Sequence, residues 1–277
     1  MEATPKLGIL AGGGSAPREL ISVCRAQKRS FFIIALEGQA DTDLMCDASI
    51  GLGAFGKLKK ICQQERLSEM VMLGRVRRPS VAELKPDFLG IKVIAKIGLN
   101  SLGDDGLLRS VSKAIEDECG VSIVGAHDVF KELLTPEGVL TKVGPDRQSQ
   151  KDIKRGFKVV RSLGSLDVGQ AAVVQRGLVL GVEAIEGTDA LIARAGELKR
   201  EGGGGIVVKC AKPQQDDRFD LPTLGPSTID CIVHAGFVGL AVESGRSLFL
   251  EREKTIEAAN KAGIFIVGLC MEEKDGE

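Results

Sequence analysis

The chain has 277 residues, 43% hydrophobic and 27% charged, with a formal net charge of −1. Such a length exceeds one small core and suits two domains, and the composition is that of a packed protein rather than a disordered one. With no basic surplus, no Trp and no Tyr, a nucleic-acid partner is not expected, because both the charge and the stacking platforms are missing.

Strand and helix signals alternate through the first half. "KLGILAG" (6–12) reads as a buried strand, and "APRELISVCRAQK" (16–28) as a helix with apolar residues at Leu20, Ile21, Val23 and Cys24. "FFIIAL" (31–36) is a second strand, "FGKLKKICQQER" (55–66) a helix and "EMVMLG" (69–74) a third strand. This βαβαβ order favours a parallel sheet with crossover helices. "DDGLLRSVSKAIEDEC" (104–119) then has helical spacing, and "VSIVGAH" (121–127) reads as a strand.

The pattern loosens at "LLTPEGVLTKVGPDRQSQ", where Thr-Pro, Glu-Gly and Gly-Pro signal turns. The expected organisation is a Rossmann-like N-terminal domain over 1–132, a linker over 133–149 and a mixed α/β C-terminal domain over 150–277. In the last of these, "DIKRGFKVVRSLG" is a helix and "AAVVQRGLVLGVEA" two strands joined at Arg176-Gly177, a hairpin signal. "TDALIARAGELKR" (188–200) is a helix and "GIVVKCA" (205–211) a strand. After a charged, proline-bearing loop come a helix at 228–235, strand-like runs at 238–242 and 247–250, the helix "EKTIEAANKAG" and the strand "IFIVGL".

The seven cysteines form no C-x-x-C pair and are odd in number, so reduced, mostly buried thiols in a cytoplasmic protein are expected, not a zinc site or disulfide framework. The start "MEATPKLG" lacks the basic and apolar regions of a secretory signal. No apolar run approaches the roughly 20 residues that span a bilayer, so any membrane contact is peripheral.

Several stretches carry residue types suited to binding or chemistry. Gly12, Gly13 and Gly14 lie between a strand and a helix, where backbone N–H groups and the helix dipole favour an anion. The dinucleotide pattern G-x-G-x-x-G wants a third small residue where this chain has Pro17, which weakens an NAD reading, although Glu37 stands about where a ribose-binding acid would. A tight βα turn without any ligand is the plain alternative. Asp104 and Asp105 precede a helix; they fit an N-cap or a pair of oxygen ligands for Mg2+. Glu183 and Glu186 lie at and beyond the end of an apolar strand, and Thr188 or Asp189 is expected to cap the next helix. "KCAKPQQDDRFDLPTLGPSTID" (209–230) offers Lys209 and Lys212 at a strand end, then Asp216, Asp217 and Asp220. Cations beside carboxylates suit phosphoryl chemistry, though a solvated loop would have the same composition. His127 and His234 read more readily as packed or capping histidines than as bases. No G-x-S-x-G or Cys-His signature points to covalent catalysis.

Taken in order, "LGILAGGGSAPREL", "GDDGLLR", "GAHDV", "LDVGQAAVVQRGLVLGVEAIEGTDALIARAG", "VVKCAKPQQDDRFDLPTLGPSTI" and "AGIFIVGL" run the length of the chain. The set, above all "VGQ", "EGTD", "KP" and "DLPT", resembles the LpxI-type UDP-2,3-diacylglucosamine pyrophosphatase family of lipid A biosynthesis. The resemblance implies a Rossmann-like domain, a second α/β domain and a lipid held in a cleft between them. It implies Mg2+-dependent hydrolysis of the pyrophosphate to UMP and 2,3-diacylglucosamine 1-phosphate. It carries the family's essential aspartate onto Asp220, which is expected to bind the metal, with Asp104, or to position the water. Lys209 and Lys212 are then expected on phosphate oxygens. Gln170, Thr188 and Asp189 are expected to hold the sugar phosphate, with Gly12, Gly13, Gly14, Asp104, Asp105, His127, Glu186 and Thr223 completing the binding set. A homodimer, cytoplasmic or peripheral at the inner membrane, is expected. An NAD-dependent oxidoreductase and a non-catalytic carrier of an acylated sugar phosphate remain open alternatives.

Overall fold

The computed structural model describes residues 5–77, 80, 83–97, 104–213, 216–218 and 221–270, apart from the side chains of 104 and 105. The chain divides into two units, one holding the residues up to Lys131 with the segment at 216–218, the other holding the rest.

The first unit is built on β1 (Leu7–Ala11), whose five residues are all buried. A near-continuous apolar strand of this kind is what a parallel sheet covered on both faces requires. Helix α1 (Ala16–Ala26) follows, burying Ala16, Pro17, Leu20, Ile21 and Cys24 at helical spacing, with the proline in its first turn. Next come β2 (Phe31–Leu36), β3 (Ala48–Ile50), α2 (Phe55–Glu65) and β4 (Glu69–Leu73). Helices α3 (Phe88–Ile97) and α4 (Asp104–Cys119), strand β5 (Ser122–Ile123) and the short α5 (Ala126–Val129) complete the unit. The strands run in the order β3-β2-β1-β4-β5, every pairing parallel. This is the order of a doubly wound dinucleotide-type sheet.

Two elements here escape the sequence pattern. Strand β3 is only three residues long, and α3 lies in a stretch without polar alternation. The expected strand over 121–127 shortens to β5. The chain turns into α5 at Gly125, whose N–H donates to the Asp128 carboxylate at 2.9 Å, so His127 is helical.

The second unit opens with β6 (Gly138–Val139) and the long α6 (Arg147–Ser165), which begins where the Asp146 carboxylate accepts the Ser149 N–H at 2.7 Å. Strands β7 (Ala171–Gln175) and β8 (Leu178–Val182) form the hairpin read from Arg176-Gly177. Both turn residues have positive φ, 48° and 79°, as a two-residue hairpin demands. Asp152 of α6, 2% exposed, accepts both turn N–H groups at 2.7 Å. Then follow α7 (Thr188–Glu197), β9 (Ile206–Lys209), β10 (Thr223–Leu224) and α8 (Pro226–Ala235). The unit ends with β11 (Gly239–Glu243), β12 (Leu248–Phe249), α9 (Arg252–Ala262) and β13 (Phe265–Leu269).

Its sheet has the order β6-β13-β11-β9-β7-β8, with β9, β11 and β13 parallel and the other pairings antiparallel; β10 and β12 pair separately. Period-two alternation sorts the core. Val207, Leu240 and Ile266 face α7, α8 and α9, whereas Val208, Ala241 and Val267 face α6. Among the described residues no helix is long and apolar enough to cross a membrane.

Candidate active site

The carboxyl ends of β9 and β11 lie together, and the antiparallel register brings the start of β7 and the end of β8 to the same sheet edge: Ala171 pairs with Lys209, Ala172 with Val182, and Val242 with Lys209. Ligands of open α/β sheets gather at such edges. Gln170, just before β7, donates its N–H to Glu183 Oε2 at 3.1 Å and accepts the Cys210 N–H at 3.0 Å. The side-chain oxygen of Gln170 is buried with no hydrogen-bond partner among the described residues. Glu183, just past β8 and only 6% exposed, accepts the Thr188 hydroxyl at 2.9 Å. Lys209 is 5% exposed and donates its ammonium to the Thr223 carbonyl at 2.7 Å, tying β9 to β10. Lys212 donates to Asp167 Oδ1 at 2.7 Å.

The structure therefore brings Gln170, Thr188, Lys209 and Thr223 to one edge, with Lys212 three residues beyond the end of β9. It also corrects the expected cap of α7. The N-cap is Gly187, with φ 81°, and Thr188 turns its hydroxyl onto Glu183 instead. Glu186 and Asp189 point elsewhere. Glu186 pairs with Arg194 at 2.6 Å, and hydrogen bonds from that guanidinium hold its carboxyl below the usual range. Asp189 lines a groove between α7 and α8 with Asp230, Cys231 and His234.

Glu243, at the end of β11, belongs to the same edge and was not singled out from sequence. Its carboxylate, 6% exposed, accepts the Ala211 N–H at 3.0 Å and the Cys210 thiol at 3.1 Å, and lies 3.7 Å from Arg246. Burial, reinforced by the carboxylate, pushes the Cys210 thiol up. The signal that marks both Glu183 and Glu243 is an acid closing an apolar strand, "LVLGVE" and "GLAVE".

Asp220 lies outside the described residues, as do the side chains of Asp104 and Asp105, which stand in the first turn of α4. Asp216 is gripped by the Arg218 guanidinium at 2.9 and 2.8 Å. Those bonds hold its carboxyl below the usual range, against the opposing effect of burial. Arg218 also donates to Glu116 at 3.3 Å and to the Ile123 carbonyl at 3.4 Å. Among the described residues no group of three or more His, Cys, Asp or Glu is placed to hold a metal ion.

The glycine turn of the first unit has a different character. Gly12 N–H donates to Leu73 O at 2.8 Å and Gly13 N–H to Arg75 O at 2.9 Å; Gly14 N–H reaches Asp41 Oδ1 at 3.2 Å. None of the three is left over for a phosphate, and a carboxylate already occupies the anion position. The glycines are there for close approach. A Cβ on Gly12 would meet Arg75 O at 2.6 Å, one on Gly13 would meet Gln39 O at 2.8 Å, and Gly14 has φ 92°. His127 Nδ1 is buried without a partner among the described residues, while Nε2 lies 3.5 Å from Asp128 Oδ1.

The family model of the LpxI N-terminal domain matches residues 6–133, and that of the LpxI C-terminal domain matches 136–267. The chain belongs to the LpxI family. It is 41% identical over 278 aligned residues, 97% of its length and 99% of the relative's, to the UDP-2,3-diacylglucosamine pyrophosphatase LpxI of Caulobacter vibrioides. The resemblance carried by the ordered motifs is thus confirmed at family level, and the α/β architecture of both LpxI domains is as expected. The dinucleotide-like strand order of the first LpxI domain is joined to a glycine turn with no spare N–H group, which removes the main physical support for an NAD site.

Proposed function

We propose that this chain hydrolyses the pyrophosphate of UDP-2,3-diacylglucosamine, giving UMP and 2,3-diacylglucosamine 1-phosphate in lipid A biosynthesis. The observation that carries this reading is the 41% identity, over 97% of the chain, to a relative named for that substrate and reaction. The catalytic roles that follow belong to the same proposal.

Adding water across a phosphoanhydride needs neutralised phosphate oxygens and an oriented water more than a covalent nucleophile. Lys209 and Lys212 bring positive charge to a strand end where water is partly excluded, which strengthens their pull on a phosphate. The Gln170 oxygen, without a partner among the described residues, is an acceptor suited to a hydroxyl or amide N–H of the acylated sugar. Glu183 holds Thr188 and the Gln170 backbone in place beside it. Asp220 orients the attacking water or holds a metal.

We assign Mg2+ to one or two carboxylates, Asp220 with Asp104, completed by substrate phosphate and water, since such an ion takes few protein ligands. Such an ion would neutralise charge on the phosphate oxygens. Acyl chains come from a membrane surface, so the enzyme works in the cytoplasm in peripheral contact with the inner membrane.

The test is incubation with UDP-2,3-diacylglucosamine and Mg2+, with an EDTA control, followed by detection of UMP. Release of UMP that EDTA abolishes is expected. Tight lipid binding without UMP would favour a carrier, and an absorbance change with NADH would favour an oxidoreductase. Asp220→Ala should abolish turnover while leaving the fold and lipid binding intact; full activity would remove Asp220 from the mechanism.

A further inference from the structure

We propose that Glu243 is a positioning residue for the hydrolysis, holding the backbone between Lys209 and Lys212 so that both ammonium groups are set at the sheet edge. This rests on the reading that these lysines meet the substrate's phosphates. Strand β9 ends at Lys209, and its pairing with β11 ends at Val242. The next two residues, Cys210 and Ala211, are 1% and 2% exposed and lie beyond that pairing. Cys210 N–H still finds the Gln170 carbonyl. Ala211 N–H lies past the last residue pair of the β9–β11 ladder, while on the other side of β11 the ladder with β13 runs on, Ser244 N–H donating to Leu269 O. The Glu243 carboxylate takes the place of a strand carbonyl, accepting Ala211 N–H at 3.0 Å and the Cys210 thiol at 3.1 Å through the same oxygen.

The other carboxylate oxygen lies 3.7 Å from Arg246. A carboxylate buried this deeply is costly unless paired and hydrogen-bonded. The hydrogen bonds come from the two residues that separate Lys209 from Lys212, and the opposite charge from Arg246. Glu243 touches no substrate group in this scheme; its effect passes through the lysines. A shift of about 1 Å in such groups can cost on the order of 100-fold in rate.

The experiment is a double-mutant cycle on the full chain, following UMP release from UDP-2,3-diacylglucosamine and thermal melting for each variant. Glu243→Leu is expected to lower kcat by about 30-fold or more with KM changed less than about threefold. Glu243→Gln, whose amide oxygen still accepts Ala211 N–H, should recover to within about fivefold of the parent. In a Lys209→Met, Lys212→Met background, Glu243→Leu should cost less than about threefold further, because the groups it positions are gone. If Glu243→Leu does not fold, Glu243→Asp, too short to span to Ala211, carries the same expectations. Undiminished kcat in the Glu243 variants, a Gln variant as poor as Leu, or a fully additive loss in the lysine-free background would overturn the inference while leaving the lysine reading intact. Lysine variants with parental kcat and KM would overturn the lysine reading itself, and the inference with it.

Discussion

Each unit has, at its strand ends, a stretch that invites a ligand, yet the two edges are built differently. The glycine turn of the first unit closes on itself. Its N–H groups go to Leu73, Arg75 and Asp41, and added side chains would strike backbone. The edge of the second unit gathers buried charge instead, with Lys209, Glu183 and Glu243 each 6% exposed or less and a Gln170 oxygen without a partner among the described residues. A glycine-rich βα turn is therefore explained here by packing, while chemistry-bearing side chains stand at the ends of apolar strands.

The hairpin clasp offers the strongest test that stability and activity come from different places in the second unit. Asp152→Ala leaves two turn N–H groups without their acceptor and should cost about 3 kcal/mol of stability. Its kcat, per folded molecule, should equal the parent's; a matching loss of kcat would mean that the edge and the far hairpin are not separable. In the first unit, Gly12→Ala should cost about 2 kcal/mol by driving a Cβ into the Arg75 carbonyl. Melting curves and steady-state KM together decide its meaning. A raised KM in a fully folded Gly12→Ala enzyme would restore the turn as a binding element.

Thr188→Val should be milder in stability, about 1 kcal/mol, because one hydrogen bond to Glu183 is lost. It should nonetheless lower kcat/KM several-fold, which separates it from the Gly12 variant. The smallest effect is expected at Asp216. Arg218 holds its carboxyl below the unfolded value of about 3.9, so the pair stabilises the protein above that value and ceases to do so as pH falls through the lower folded one. Both side chains are partly exposed, which keeps the contribution under about 1 kcal/mol. Urea melts of parent and Arg218→Gln should differ more at pH 7 than at pH 3; an equal gap at both would remove the ion pair as its cause.

How much of this could be read from the chain follows from the range of each interaction. Buried parallel strands such as "LGILA" announce themselves locally, and the Arg176-Gly177 turn does so through its demand for positive φ. Strand β3 and the shortened β5 do not, because two or three paired residues leave no period to detect. At the glycine turn, spacing offered donors, but the residue that takes the Gly14 N–H lies 27 positions away in a loop. Glu243 escaped for the same reason: its partners at Cys210 and Ala211 are 33 and 32 residues distant. Local pattern locates a strand end, and only the sheet order says which strand ends share an edge.

The central claim is that the lysine-bearing edge of the second unit carries the hydrolysis. Its most direct measurement is kcat/KM for UMP release from UDP-2,3-diacylglucosamine by Lys212→Met, with circular dichroism and a melting curve alongside. The account predicts a loss on the order of 100-fold in a folded protein, the scale expected when one charge-stabilising group is removed from a phosphoryl-transfer site. Parental kcat/KM in that variant would contradict it.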